Sequence, residues 1–379
     1  MKRLSIRRQW LQFDFLLLLL VCAFAVFGIA MIGAAASYVN KTSAWGEYTS
    51  QKLFFATGVG VLILFTVVDY HFIARFYWPI YGFMILLLGV VMVVGAHDST
   101  NTARWIRIGS FSIQPSEFSK IFILIFLAKF IDIKQDSINN IGVLSIISAL
   151  VILPVVMIFL QPALSACLVI VAVSVCVIFS SSLKFKYILI ALMIITPLAV
   201  LSVWDLNNSP RLFIDKVLGE YQMGRIDTFL HPLKNSDAYY QTSSSLRSIG
   251  SGMLEGKGYK QGSIIPKGQN DFIFSVIGEQ FGFVGCACVL AVIFIIISKC
   301  IIIANRAPDT LGKLIAMGVA GKLAFEVFVN AGVATDILPN TGMPFPFLSS
   351  GGSSMWVNMA CVGLVLNVGL FKAKSIFKE

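Results

Sequence analysis

Apolar residues in this chain do not alternate with polar ones; they run together in blocks long enough to cross a bilayer. Phe15–Ala36, Ile141–Leu160 and Ala163–Phe179 contain no Asp, Glu, Lys or Arg. A hydrocarbon layer about 30 Å thick asks a helix for about 20 such residues. The pattern predicts ten spans, near 13–36, 53–68, 78–96, 115–131, 141–160, 163–181, 186–204, 271–303, 313–337 and 353–371. The eighth is too long for one straight crossing. Its first part, Asp271 to Gly285, holds Glu279 and three glycines, which predicts an interfacial or broken helix. The expected fold is an all-α polytopic membrane protein, a single domain over 1–379, with a long extracytoplasmic loop of about 205–270 between spans 7 and 8.

Basic residues between the spans set the orientation. Lys2, Arg3, Arg7 and Arg8 precede the first span, and Lys184 and Lys186 lie between the sixth and seventh. Arg306 and Lys313 flank the 304–312 loop, and Lys372, Lys374 and Lys378 close the chain. With an even number of spans all of these fall on one side. Both termini are therefore expected in the cytoplasm, and 37–52, 97–114, 205–270 and 338–352 on the outer face. The basic N-terminus and the long run after it read as a retained first helix rather than a cleaved signal.

Composition narrows the chemistry. The chain is 57% hydrophobic and 13% charged, about half the charged fraction of a soluble protein. Its net charge of +10 is spread over short loops with no basic arm, which argues against nucleic acid. The seven cysteines all lie in apolar stretches, and His71, His97 and His231 are scattered, so no zinc or haem site is legible. There is no Walker A, GxSxG or HExxH motif. Whatever chemistry occurs belongs within the membrane or at its outer face.

Ionisable residues at membrane depth are costly and mark candidate sites. Gln114-Pro115-Ser116-Glu117-Phe118-Ser119-Lys120 opens the fourth span and puts Glu117 and Lys120 on one helix face; the alternative is a helix-dipole acid and a snorkelling lysine. Arg104-Trp105-Ile106-Arg107 sets two cations around an indole, or serves as an aromatic anchor. Asp271 closes the long outer loop and opens an apolar helix, where a carboxylate is either an N-cap or a desolvated general base. Glu279, eight residues on, would share its face if the helix is continuous. Residues 249–258 are glycine-dense, with Arg247 and Lys257 nearby; they read as a phosphate cradle or a flexible turn. Residues 338–354, rigid and then pliant, look re-entrant or cavity-lining. Lys322 and Glu326, at i and i+4 in the ninth span, would form an intramembrane structural pair.

Taken in order, ARWI (103–106), QPSEFSK (114–120), the IGSG and GKG stretches within 240–258, NDFIFSVIGEQFGFVG (270–285) and LPNTGMPFPFLSSGGSS (338–354) resemble the SEDS family of RodA, FtsW and SpoVE. The compact N-terminus is more similar to RodA than to FtsW. The resemblance implies an integral-membrane peptidoglycan glycosyltransferase that polymerises lipid II for elongation and shape, working with a class B penicillin-binding protein. It implies Asp271 as the catalytic aspartate, with Trp105, Glu117 and Lys120 at matching motif positions. Arg104, Lys120, Arg247 and Lys257 are the outer-face cations expected to meet pyrophosphate, and Glu279, Ser349, Gly351 and Gly352 complete the expected substrate-binding set. A divalent cation, Mg or Mn, could share that role, but no acidic cluster identifies its ligands. The chain departs from the family pattern at Ala163 and Ser165, at Gln269-Asn270 before the aspartate, at Ser350 where the family has Tyr, and at Asp336 where it has Gly. Rival readings are a lipid II flippase, disfavoured because the motifs gather on one face, and a non-catalytic scaffold, disfavoured because Asp271 is present.

Overall fold

The structure, a computed structural model, describes residues 13–39, 42–97, 103–108, 111–206, 219–232 and 236–371. The basic termini used to orient the chain, Lys2 to Arg8 and Lys372 to Lys378, lie outside the described residues.

The helices in chain order are α1 (Phe15–Val39), α2 (Thr42–Val67), the short α3 (Tyr70–Arg75), α4 (Tyr77–Val94), α5 (Pro115–Ile133), α6 (Ile141–Phe159), α7 (Leu164–Phe179) and α8 (Phe185–Leu206). After them come α9 (Glu220–Leu230), α10 (Ser236–Gly252), α11 (Ile273–Asn305), α12 (Thr310–Ala334) and α13 (Gly352–Phe371). Six of these, α1, α2, α6, α11, α12 and α13, are long and apolar enough to cross a membrane; α4 and α7 are shorter apolar helices. Most are apolar all round, as helices facing lipid on one side and protein on the other must be. α9 and α10 differ. They are amphipathic and lie in the segment read as one long loop, and α10 docks through a small polar residue: Ser245 Oγ meets Ser275 Oγ at 2.5 Å and the Ala334 carbonyl at 2.6 Å.

The all-α expectation needs one correction. A three-stranded antiparallel sheet, β1 (Ala96–His97), β2 (Ala103–Ile108) and β3 (Phe111–Ile113), stands between α4 and α5. Its registers pair Ala96 with Trp105 and Ile106 with Ile113. Such a short segment has too few residues for its alternation to stand out beside the flanking apolar runs.

α12 and α13 are the most enclosed of the long helices, and glycines let them pack closely. A Cβ on Gly363 would come within 2.6 Å of the Leu62 carbonyl on α2, and one on Gly318 within 2.2 Å of Leu124 on α5.

Two irregular backbones matter for function. α11 breaks at Gly282, whose φ of 64° lies in the left-handed region. The chain just after α10 is spliced into that break. Phe283 and Val284 donate their N–H groups to the Met253 and Leu254 carbonyls, while Lys257 and Gly258 donate theirs to Glu279 and Gln280. Two amides of the glycine-dense stretch, those of Lys257 and Gly258, are therefore spent on α11. Its glycines permit close approach, since a Cβ on Gly252 would meet the Gly278 carbonyl at 1.9 Å. This stretch packs as a joint against α11.

The second irregular segment, 339–350, links α12 to α13. Met343, Phe345, Phe347 and Leu348 are buried, and the segment crosses α1 at Gly28, eleven residues or about 16 Å from that helix's Val39 end. It is a re-entrant strap, tolerated because protein surrounds its backbone. A Cβ on Gly28 would stand 2.7 Å from the Leu348 Cα and the Phe347 carbonyl oxygen, both main-chain atoms that cannot rotate away. Gly28→Ala is expected to cost about 1–3 kcal/mol through overpacking, read as a lower melting temperature of the detergent-solubilised protein. Gly60→Ala, which meets nothing within 4 Å, is the control expected to leave it unchanged.

Candidate active site

Asp271 stands where the strap, α9, α11 and α12 meet. It is not the cap of α11: that position is Phe272, and no side chain caps it. The Asp271 main-chain carbonyl accepts a 2.8 Å hydrogen bond from the Asn330 side-chain amide, whose second N–H goes to the Met343 carbonyl at 2.7 Å. One buried asparagine thus ties the aspartate's loop to the strap, while the carboxylate is left out of this bonding. Burial pushes the Asp271 carboxyl above the usual carboxylate range, and the positive charges of Lys267 and Arg225 pull it back in part. A half-buried carboxylate held this way suits proton abstraction.

The strap reads the backbone ahead of Asp271. Ser349 Oγ donates to the Asn270 carbonyl at 2.6 Å and accepts the Phe345 N–H at 2.8 Å. Ser350 N–H donates to the Gln269 carbonyl at 2.9 Å. Both of these strap bonds to 269–270 end on a main-chain oxygen, which explains how Gln269, Asn270 and Ser350 can depart from the family pattern with this joint intact. α2 holds the strap's far side through Gln51, which accepts the Gly351 N–H at 3.0 Å. Gly352 packs on the Phe54 ring, 2.8 Å from where a Cβ would be. Phe345 stacks on Phe274 with centroids 6.1 Å apart. Gln51 and Asn330 escaped the sequence reading; Asn330 is signalled only as a polar amide within an apolar stretch, and Gln51, flanked by Thr49, Ser50 and Lys52, is not signalled at all.

Asp336 has a use of its own. Just past α12, in the left-handed region at φ 57°, it takes a conformation that Gly adopts freely and Asp tolerates better than most residues. Its carboxylate accepts the Tyr239 hydroxyl of α10 at 2.7 Å, and that bond holds the phenol above its ordinary range.

Glu117 and Lys120 are buried together, and the pair belongs to a longer chain of alternating charge. Lys120 Nζ lies 2.7 Å from Glu117 and 3.0 Å from Glu326; Lys322 Nζ lies 2.7 Å from Glu326 and also donates to Asn358. The Lys322–Glu326 pair expected from spacing is formed, and α5 joins it. Two lysines and two glutamates cancel, which is what burial of all four requires.

The remaining predicted residues are dispersed. Glu279 is buried and clamps the 257–263 segment, 2.6 Å from Lys257 Nζ and accepting both the N–H and the hydroxyl of Ser263. It does not share a face with Asp271, which precedes the helix. Arg247 is exposed and folds back onto Ser243 of its own helix. Arg104 donates to the Gln161 carbonyl at 3.1 Å, and Trp105, its strand neighbour, is sent to the opposite face of the sheet. The two therefore do not form one cluster. Among the described residues no group of three or more His, Cys, Asp or Glu is placed to hold a metal ion.

The profile of the family described as "Cell cycle protein" and named for FtsW, RodA and SpoVE matches residues 12–374. The chain is similar to the probable peptidoglycan glycosyltransferase FtsW of Trichlorobacter lovleyi, 34% identical over 94% of this chain and 93% of that one. It is also similar to the stage V sporulation protein E of Bacillus subtilis, at 31% identity over 94% and 97%. Its structure resembles a chain solved for the structural coordination of polymerization and crosslinking by a peptidoglycan synthase complex. There the TM-score is 0.80 and the identity 26%, over 97% of this chain and 99% of that one. The likeness extends to FtsW and SpoVE alike and does not select the RodA subdivision expected from the compact N-terminus.

Proposed function

The chain belongs to the FtsW, RodA and SpoVE family of cell cycle proteins, and from that membership we propose that it is a peptidoglycan glycosyltransferase with Asp271 as its general base. The substrate is lipid II, a disaccharide pentapeptide on undecaprenyl pyrophosphate. The acceptor's sugar hydroxyl oxygen bonds to the donor's anomeric carbon as the bond from that carbon to the pyrophosphate oxygen breaks. The electron pair leaves with the polyprenyl diphosphate, and the hydroxyl proton goes to Asp271. The observation that carries this reading is the Asp271 carboxylate itself: half-buried, raised in pKa by burial, and free of the helix-capping role that would otherwise account for it.

In this reading the chain crosses the cytoplasmic membrane ten times with both termini inside, so that α9, α10 and the strap work at the outer face, where lipid II presents its sugars. The partner is a class B penicillin-binding protein, whose transpeptidase activity would crosslink the new strand; the similar chain from a polymerization and crosslinking complex supports this. Relatives named FtsW and stage V sporulation protein E match at 34% and 31% identity, each over 94% of this chain, so the reading ends at the reaction and not at a cellular role.

Polymerisation of fluorescent lipid II by the purified protein, alone and with its transpeptidase, tests the proposal. A ladder of glycan products is expected. Absence of products under both conditions, together with lipid II translocation by the protein in liposomes, would move the assignment to a flippase.

A further inference from the structure

Away from the strap, the other ends of α2, α12 and α13 share a cluster of charge that the reaction does not use. α12 runs 25 residues from Thr310 to Ala334, about 37 Å at 1.5 Å per residue. Asn330, near its end, holds Asp271 and the strap. Its start is capped by Asp309, whose Oδ1 accepts the Gly312 N–H at 2.7 Å. The other oxygen of that carboxylate faces the turn between α2 and α3. Tyr70 donates its hydroxyl to Asp309 Oδ2 at 2.8 Å, and His71 Nε2 lies 2.6 Å from the same atom. On its other side His71 Nδ1 lies 2.8 Å from Asp69 Oδ1, which also accepts the His71 main-chain N–H. α13 closes the cluster. Asn367 accepts the Tyr70 N–H at 3.0 Å and donates to the carbonyls of Thr66 and Val68, and the Phe371 ring sits edge-on to Tyr70 and His71. The same three helices meet at the strap, α2 through Gln51, α12 through Asn330, and α13 by beginning at Gly352.

We propose that His71 is a proton-operated staple: as an imidazolium it fastens the α2–α3 turn to the start of α12, and on losing its proton to water it lets go of one of its two carboxylates. An imidazolium carries two N–H groups and satisfies Asp69 and Asp309 together. Neutral imidazole carries one and turns a lone pair towards the other carboxylate. Tyr70, stacked on the ring with centroids 4.0 Å apart, keeps its bond to Asp309 in both states, because burial and then the Asp309 charge hold its phenol above the ordinary range. Proton loss therefore loosens the joint without severing it. The bond to Asp309 lifts the His71 ring above its ordinary value; burial opposes the lift, and Asp69 adds to it. Burial would raise Asp309, but His71, the Gly312 N–H and Tyr70 hold its carboxyl below the ordinary range, so it stays ionised near neutrality. Asp132, at the end of α5, adds the smallest push on Tyr70 and is itself paired with Lys129 at 2.8 Å. Because His71 titrates above a free histidine, about 6.5, the staple's contribution to stability is fully present below that pH. It is lost as pH rises through the raised value. The staple stands at the opposite end of α12 from Asp271, which is the cytoplasmic side in the orientation proposed for this chain.

Titration of the purified protein in detergent, with its histidine side chains labelled for NMR, tests the staple without turnover. His71, His97 and His231 are the chain's three histidines. His71 is exposed, so His71→Gln is expected to fold, and the resonance it removes is the one of interest. The midpoint of that resonance should lie above the free-histidine value. Asp309→Asn preserves the helix cap and should lower the midpoint by about one pH unit. Asp69→Asn should lower it as well, and remains informative if the Asp309 variant fails to fold. Melting temperature gives a second reading: wild type should exceed His71→Gln by about 2 °C near pH 6, and the gap should close as pH rises through the measured midpoint. A midpoint at or below the free-histidine value, a midpoint unmoved by both Asn variants, or a melting gap independent of pH would overturn the proposal. None of these readings depends on glycan synthesis, so a protein that titrates this way and polymerises nothing keeps the staple and loses only the catalytic assignment.

Discussion

Asp271→Asn is expected to leave the protein folded and to cut lipid II polymerisation by at least about 100-fold, the lower end of what a general base contributes. Asn is nearly isosteric with Asp and preserves the main-chain carbonyl that Asn330 holds. Since the Asp271 side chain does not cap α11, no helix stability is at stake, and the melting temperature should stay at the wild-type value. What changes is proton affinity: an amide oxygen cannot take the acceptor hydroxyl's proton at neutral pH. The wild-type pH profile supplies a second check. The base works only when deprotonated, and burial raises its pKa, so activity should be present above that raised value and lost as pH falls through it, at a pH above the ordinary carboxylate range. Lys267→Gln removes a charge that holds the carboxyl down and should move this acid limb to higher pH. Wild-type glycan synthesis by the Asn variant would sink the assignment.

Lys120→Met is expected to cost about 3–5 kcal/mol, because it leaves Glu117 and Glu326 with only Lys322 to balance them in a buried site. The double variant Glu117→Gln/Lys120→Met restores neutrality, leaving the Lys322–Glu326 pair. It should recover much of that loss, so the two substitutions should be strongly non-additive. Thermal unfolding of the singles and the double in the same detergent measures the coupling. Additive losses would mean that the four charges do not act as one network. This alters the simplest reading of Lys120 as an accessible cation: at 1% exposure it contributes first to holding α5 against α12.

The mostly helical, apolar character of the chain, the break in α11, the irregular strap and the position of Asp271 at a loop-to-helix junction could be read along the chain. Each depends on residues close in sequence: unbroken apolar runs, glycines within one helix, and prolines and serines between two apolar blocks. The Lys322–Glu326 pair was legible for the same reason, being one helical turn apart. What the chain alone could not reveal was which distant residues meet. Lys120 finds Glu326 across 206 positions, Arg225 reaches Asn340 across 115, and Gln51 reaches Gly351 across 300. Local spacing suggested that Arg104 and Trp105 act together and that Glu279 joins Asp271, but a strand's alternation and the end of a helix separated both pairs. Helix formation in a membrane is decided within each segment, because lipid leaves the backbone no partner except itself. The charge around Asp271 is decided by how the segments pack, since a carboxylate's affinity for a proton depends on burial and on cations that only the folded chain brings beside it.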